Sequence, residues 1–302
     1  MYIITHRKWF YLIPAALVVF SIVATLVFGL RGGVDLTGGS LLEISYPEGR
    51  PSVEAIEAAV AGLNLGTVHV QATGDEGYLL RTRDINDAEK QALLQSLTLG
   101  VKVVKTERFT SIGPTIGHEL RSKAWVAITL VLLAIIAYIA FAFRKVSAPV
   151  QSWKYGAIAI ITLVHDIALP VGLFALLGYT HGAEVDSLFI VGLLTILGIS
   201  INDTIVVFDR VRENLKVNND KGAREDFESV VGRSITQTIA RSINTSLTVI
   251  IVLVALYFVG PVSTKDFSLT LIVGMIAGTY SSIFLASPLL VTWERFSAKQ
   301  AR

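Results

Sequence analysis

The sequence contains no cysteine, which excludes disulfide staples, thiolate metal sites and a cysteine nucleophile. Charge is also scarce: 17% of the 302 residues are charged against 52% hydrophobic, and the mean hydropathy is +0.61. That balance is too apolar for a water-soluble globular chain. Lys and Arg number 26 and Asp and Glu 24, without the clustered basic stripe that a nucleic-acid partner requires, so no nucleic acid is expected. The five histidines (His6, His69, His118, His165 and His181) show neither H-x-x-x-H nor HExxH spacing, and no metal site is expected. Neither a phosphate-cradling G-x-x-x-x-G-K-[ST] loop nor a G-x-S-x-G elbow occurs. The chain is therefore expected not to be an enzyme, with no catalytic residue, no bound cofactor and no ATP hydrolysis of its own.

What is present is apolar sequence in long runs. A membrane-crossing helix needs about 20 apolar residues, and such windows fall at 9–30, 124–143, 156–179, 185–208, 240–260 and 267–291. The first follows His6-Arg7-Lys8 as a signal peptide would. It nevertheless has full bilayer length and no A-x-A cleavage site, so it reads as a retained span. The Lys and Arg of the connections set orientation. Arg7 and Lys8 precede the first span, Arg144, Lys145 and Lys154 lie in 144–155, seven basic residues from Arg210 to Arg241 lie in 209–241, and Arg295, Lys299 and Arg302 close the chain. The connections 180–184 and 261–266 hold only Lys265. Both termini are thus expected in the cytoplasm and segment 31–120 outside it, with Arg121 and Lys123 as interfacial anchors. The expected domains are the N-terminus and first span (1–30), the external domain (31–120), and a five-helix membrane region (121–302) with a cytoplasmic loop 209–240 and a short cytoplasmic tail.

Segment 31–120 has ordinary globular composition. LLEISYP (41–47) alternates like a strand, and PSVEAIEAAVAGLN (51–64) has helical spacing behind a Pro51-Ser52 start. TVHVQATG (67–74) and GYLLRTRD (77–84) flank the turn Gly74-Asp75-Glu76-Gly77, DAEKQALLQSLT (87–98) reads as a second helix, and VKVVKTERFT (101–110) as the last strand. The βαββαβ order is that of an α+β ferredoxin-like domain. The expected fold class is a polytopic α-helical membrane protein with six transmembrane helices and this domain outside the membrane, between spans one and two. The domain reads as a binding or mechanical module.

A charge at the bilayer centre costs about 2.5–3.5 kcal/mol, so intramembrane acids default to function. Asp166 lies near the middle of the third span beside His165, and Pro170 four residues on leaves the Asp166 carbonyl without its N–H partner, which favours a kink and a structural or gating role. Asp203 lies near the cytoplasmic end of the fourth span beside Asn202 and Thr204, and Arg241 opens the fifth. The two spans are antiparallel, so this acid and base fall in the same half of the bilayer. Two readings stay open: Asp203 takes up and releases a proton, or it forms a permanent interhelical ion pair or hydrogen-bond clamp. Asp209 sits at the headgroup boundary. Gly274, Gly278, Ser282 and Ala286 recur every four residues in the sixth span, a stripe of small residues that lets helices approach closely. Segment 209–233 reads either as a membrane-surface helix, with Val211, Leu215, Phe227, Val230 and Val231 on its apolar side, or as a solvated connector.

Taken together, GVDLTGGSLLEI (33–44), FTSIGPTIGHEL (109–120), LVHDI (163–167), SINDTIVVFDRVREN (200–214), SITQTIARSINTS (234–246) and FSLTLIVGMIAGTYSSIFLASPL (267–289) resemble the SecF family, protein-export membrane subunits related to the resistance-nodulation-division transporters. The resemblance covers nearly the whole chain. It implies a subunit of the bacterial cytoplasmic (inner) membrane that pairs with SecD into a twelve-span unit, assists the SecYEG channel and indirectly the ATPase SecA, and uses the proton motive force to complete preprotein export. It extends the partner set to YajC and YidC, beside preprotein and membrane lipid. It places the family's proton-relay pair on Asp203 and Arg241, and a hinge between domain and membrane on Gly38 and Gly39. The chain departs from the family pattern in carrying Ile199 and Phe208 where tyrosine and serine are common. A non-conducting assembly subunit is the alternative reading. A small-molecule exporter is a more distant one, because the chain lacks the second large external domain that such a porter needs.

Overall fold

The computed structural model describes residues 2–99, 103–142, 151–222 and 225–300. Residues 101 and 102 of the expected last strand, and the counted charges Arg144, Lys145, Arg224 and Arg302, lie outside the described residues. The chain divides into two units, one formed by 1–30, 128–180 and 189–302 and the other by 31–127 and 181–188.

In the smaller unit, strands β1 (Gly39–Ser45), β2 (His69–Thr73), β3 (Gly77–Thr82) and β4 (Lys105–Ile112) form one antiparallel sheet in the order β2-β3-β1-β4. Two short helices, Val53–Val60 and Asp87–Leu97, fall between β1 and β2 and between β3 and β4. The period of two along β1 turns Leu42, Ile44 and Tyr46 inward, where they meet Tyr78 and Leu80 of β3, Ile56 and Val60 of the first helix and Leu93 and Leu97 of the second. Each helix starts where its sequence signals a cap. Ser52 accepts from the Ala55 N–H at 3.3 Å, and Asn86 and Glu89 form a reciprocal capping box. The expected Gly74–Gly77 turn joins β2 to β3, with Gly74 at φ +56°. Residues 181–188, expected as a connection up to 184 and as the start of the fourth span from 185, belong to this unit. Val185 bridges Gly32 in parallel, and the Arg81 guanidinium pairs with Glu184 at 2.7 Å.

Six helices among the described residues are long and apolar enough to cross a membrane: Arg7–Phe28, Pro114–Ala142, Trp153–His181, Ser187–Asp220, Phe227–Val259 and Val262–Ser297. Helix is the economical solution because lipid satisfies no backbone polar group. We number the long helices α1 (Arg7–Phe28), α2 (Pro114–Ala142), α3 (Ser152–His181), α4 (Ser187–Asp220), α5 (Phe227–Val259) and α6 (Lys265–Tyr280). The last runs on through a π-helical segment, Ser281–Ala286, into α7 (Ser287–Gln300). Helix α3 continues through Pro170. At Gly172 a Cβ would lie 2.3 Å from the Ser21 Cα of α1, so only glycine permits that crossing.

Both readings of segment 209–233 are corrected here. Helices α4 and α5 extend well past the apolar windows, so 209–220 and 227–233 are neither a separate surface helix nor a solvated connector. Residues 209–220 are the end of one long helix and 227–233 the start of the next. Their apolar residues face the protein's own bundle: Val211, Val230 and Val231 are fully buried in a cluster with Tyr155, Phe208 and Leu290. Two antiparallel helices that each carry an apolar stripe bury it against one another, leaving Arg210–Glu213 and Arg212–Asp209 pairs on the exposed side. Asn214 fastens the extensions by donating to Ser234 Oγ at 2.8 Å and Gln237 Oε1 at 2.9 Å.

Candidate functional site

Ser200, Asp203, Thr204 and Val207 recur at helical spacing on the buried face of α4. Asp203 is 7% exposed. Across from it, α5 presents Ser242 and Ser246, one turn apart and both buried. The polar neighbours of the Asp203 carboxyl are these two serines and the charge of Arg241. From α6, Thr279 donates to Ser246 Oγ at 2.6 Å. A cavity of about 10 Å³ lies among Ile196, Ile199, Ser200, Asp203, Ser246 and Thr279, at the lower limit of the space that one water needs. Ile199, one of the departures from the family pattern, is thus part of the wall nearest the carboxyl.

Arg241 lies well inside α5, because that helix begins at Phe227 rather than at residue 240. Its side chain is exposed. Among the described residues Asp203 and Arg241 form no ion pair within 4.0 Å, so a permanent interhelical bridge is not formed and the arginine acts on Asp203 through its field. Asn202 points to the exposed side of α4 and stands apart from this cluster, whereas Thr204 is fully buried and its hydroxyl has no partner among the described residues.

Asp166 sits in a second polar cluster. It is fully buried in α3, with His165 Nδ1 2.8 Å from its Oδ1. The hydroxyls of Ser200 on α4 and Ser281, first residue of the π segment, both donate to Oδ2, the latter at 2.9 Å. Sequence reasoning missed both serines, which lie far from Asp166 along the chain. The one available signal was that Ser281 adjoins the small-residue stripe. That stripe is the surface on which α6 meets α4: a Cβ on Gly274 would lie 2.2 Å from Ile196 Cδ1, and one on Gly278 3.0 Å from Ser200 Cβ. Ser282 and Ala286 fall in the π segment and are fully buried.

Gly38 and Gly39 take φ of +80° and +126°, values that glycine alone adopts at little cost. Both are packed inside the smaller unit. A Cβ on Gly38 would lie 2.7 Å from Pro114 Cα, and one on Gly39 2.7 Å from the Thr82 carbonyl oxygen. Their local role is close backbone approach.

Residues 93–296 match the family described as protein export membrane protein SecD/SecF, C-terminal. The chain is 43% identical to protein translocase subunit SecF of Thermobaculum terrenum, over 97% of this chain and 93% of that protein. It is 37% identical to the SecF of Anaerolinea thermophila, over 97% and 94%. Among solved structures it resembles SecDF, a translocon-associated membrane protein from Thermus thermophilus, with a TM-score of 0.83 and 30% identity, covering 97% of this chain and 38% of that one. A second SecDF structure, in its super-membrane-facing form, gives a TM-score of 0.65 at 32% identity, again over 38% of the longer chain.

Proposed function

The chain belongs to the SecF family, a multi-pass membrane subunit of the Sec protein-export machinery, and we propose that it couples proton entry through Asp203 to the late steps of preprotein export. The observation that carries this reading is the setting of Asp203: a carboxyl buried among apolar helices, faced by hydroxyls, and within the field of an arginine that does not neutralise it by contact. Such a group can take up or give off a proton without breaking an ion pair. One charge moved through 100 mV supplies about 2.3 kcal/mol, enough to shift the packing of α4 against α5 and α6.

The working unit in this reading is a pair with SecD beside SecYEG. The chain spans 38% of the SecDF chains it resembles, which leaves room for a SecD-like half. Arg241, Asn244 and Thr245 leave α5 with a polar exposed stretch, and covering it with a second membrane subunit removes the cost of facing lipid. The basic residues of the connections support cytoplasmic termini, an external smaller unit and residence in the bacterial inner membrane. The element order β1-helix-β2-β3-helix-β4 and the strand order β2-β3-β1-β4 support the ferredoxin-like plan for that unit, with Gly38 and Gly39 near the root of any swing it makes. Nothing in this scheme asks the chain for catalysis or a cofactor.

The test is export completion in membranes lacking the native pair, supplied with the partner subunit and either wild-type chain or Asp203→Asn at matched complex yield. Wild type is expected to respond to an imposed proton gradient and Asp203→Asn to lose at least tenfold of that response. Equal responses would make Asp203 structural and the chain an assembly subunit.

A further inference from the structure

The Asp203 site does not end at Asp203. Ser200, one turn earlier on α4, lines the same small cavity, and its hydroxyl donates to Asp166 Oδ2. A hydroxyl donates once and accepts twice, so Ser200 can hold Asp166 and receive a bond from a water in the cavity at the same time. On the far side of Asp166 stands His165, 3% exposed, with its Nε2 buried and unpartnered. A buried polar atom left open is expensive, so this ring nitrogen has a hydrogen bond still to make that the described residues do not supply.

We infer that Asp166 is a second proton station, reached from Asp203 through the cavity water and the Ser200 hydroxyl, and that its occupancy sets the grip of α3 on the π segment of the sixth span. This rests on the relay reading of Asp203. The geometry couples proton arrival to motion at one point. Asp166 Oδ2 accepts from Ser281, the residue at which α6 gives way to π-helix. A proton handed to Oδ2 by Ser200 reverses the Ser200 bond, which then runs from Oδ2–H to the Ser200 oxygen, and it removes the carboxylate charge that strengthened the bond from Ser281. The hold on Ser281 is then weaker, and the π segment, a turn type concentrated at functional sites, shifts register against α4 more easily. The contact that would slide is the one built from Gly274 and Gly278. Of the groups facing this path, α3 contributes His165, α4 Asp203, α5 Arg241 with Ser242 and Ser246, and α6 with the π segment only the hydroxyls of Thr279 and Ser281.

The experiment measures gradient-driven proton uptake per complex, as a function of pH, in sealed vesicles carrying the chain with its partner subunit. Ser200→Ala removes one oxygen and is expected to lower uptake at least tenfold. Asp166→Asn is expected to lower uptake per complex at least tenfold at matched yield, which a purely structural residue would not do. If Ser200→Ala and Asp166→Asn keep the wild-type rate and pH profile while Asp203→Asn is inactive, the second station is wrong and the relay reading stands. If Asp203→Asn itself conducts like wild type, the relay reading falls and this inference with it. Should Asp166→Asn not assemble, Ser200→Ala decides alone. A lower yield with an unchanged rate per complex overturns the inference.

Discussion

Placing a methyl group on Gly274 tests the helix contact on which the membrane unit depends. An added Cβ would sit 2.2 Å from Cδ1, 2.3 Å from Cγ1 and 2.9 Å from Cγ2 of Ile196, all inside the closest approach that carbon atoms tolerate. Ile196 is 1% exposed and has no solvent to retreat into, so the helices must part or the side chain must leave its rotamer. Overpacking of this kind costs about 1–3 kcal/mol, less up to about 1 kcal/mol regained because alanine is the better helix former. Ile196→Ala alone costs about 2–5 kcal/mol by leaving a cavity. The two changes are complementary: the space emptied at 196 is the space the new methyl needs. Unfolding of the purified protein in detergent or bicelles, followed through all four members of the cycle, is therefore expected to show the double variant more stable than the sum of the singles by about 1–3 kcal/mol, within the range measured for touching residues. Strict additivity would refute the claim that α6 and α4 meet on the small-residue stripe.

Gly38→Ala is expected to destabilise the smaller unit by about 1–3 kcal/mol, since it adds a Cβ against Pro114 in a left-handed backbone; a thermal scan showing wild-type stability would remove the close approach as the reason for glycine there. Tyr46 is fully buried with its hydroxyl donating to the Leu97 carbonyl at 2.8 Å, and burial pushes its phenol up to about 12. Below the unfolded phenol value of about 10 the neutral form is present in both states and its stabilisation is complete. As pH rises from there through the folded value the unfolded state loses its proton first, so stability falls, and Tyr46→Phe is expected to flatten that alkaline limb in a pH series of unfolding midpoints.

The parts of this protein that were legible in the sequence are those specified by local pattern. Six apolar runs became six long helices, and the alternation of Leu42, Ile44 and Tyr46 and the Ser52 start placed a strand and a helix of the smaller unit correctly. The misreadings share one physical cause, which is that periodicity shows that a face is apolar and not what covers it. Val211, Val230 and Val231 looked ready for a lipid surface, yet α4 and α5 cover each other. Arg241 was expected to open a span because the apolar window opens there, while the helix itself starts fourteen residues earlier with Phe227. The partners of Asp166 were invisible for a related reason. Serines are common in such spans, and only the packing of α4 and the π segment on α3 brings Ser200 and Ser281 to one carboxylate oxygen. Asp203 was identifiable from an acid in an apolar run, and its serine shell was not.

The most direct test of the account is whether Asp203 changes its protonation state when the protein is loaded with protons. Infrared difference spectra of the membrane-embedded pair on an acid jump register each carboxyl that takes up a proton. Wild type is expected to gain a protonated-carboxyl band that Asp203→Asn lacks at equal protein and equal assembly. Identical difference spectra from the two would contradict a proton at Asp203.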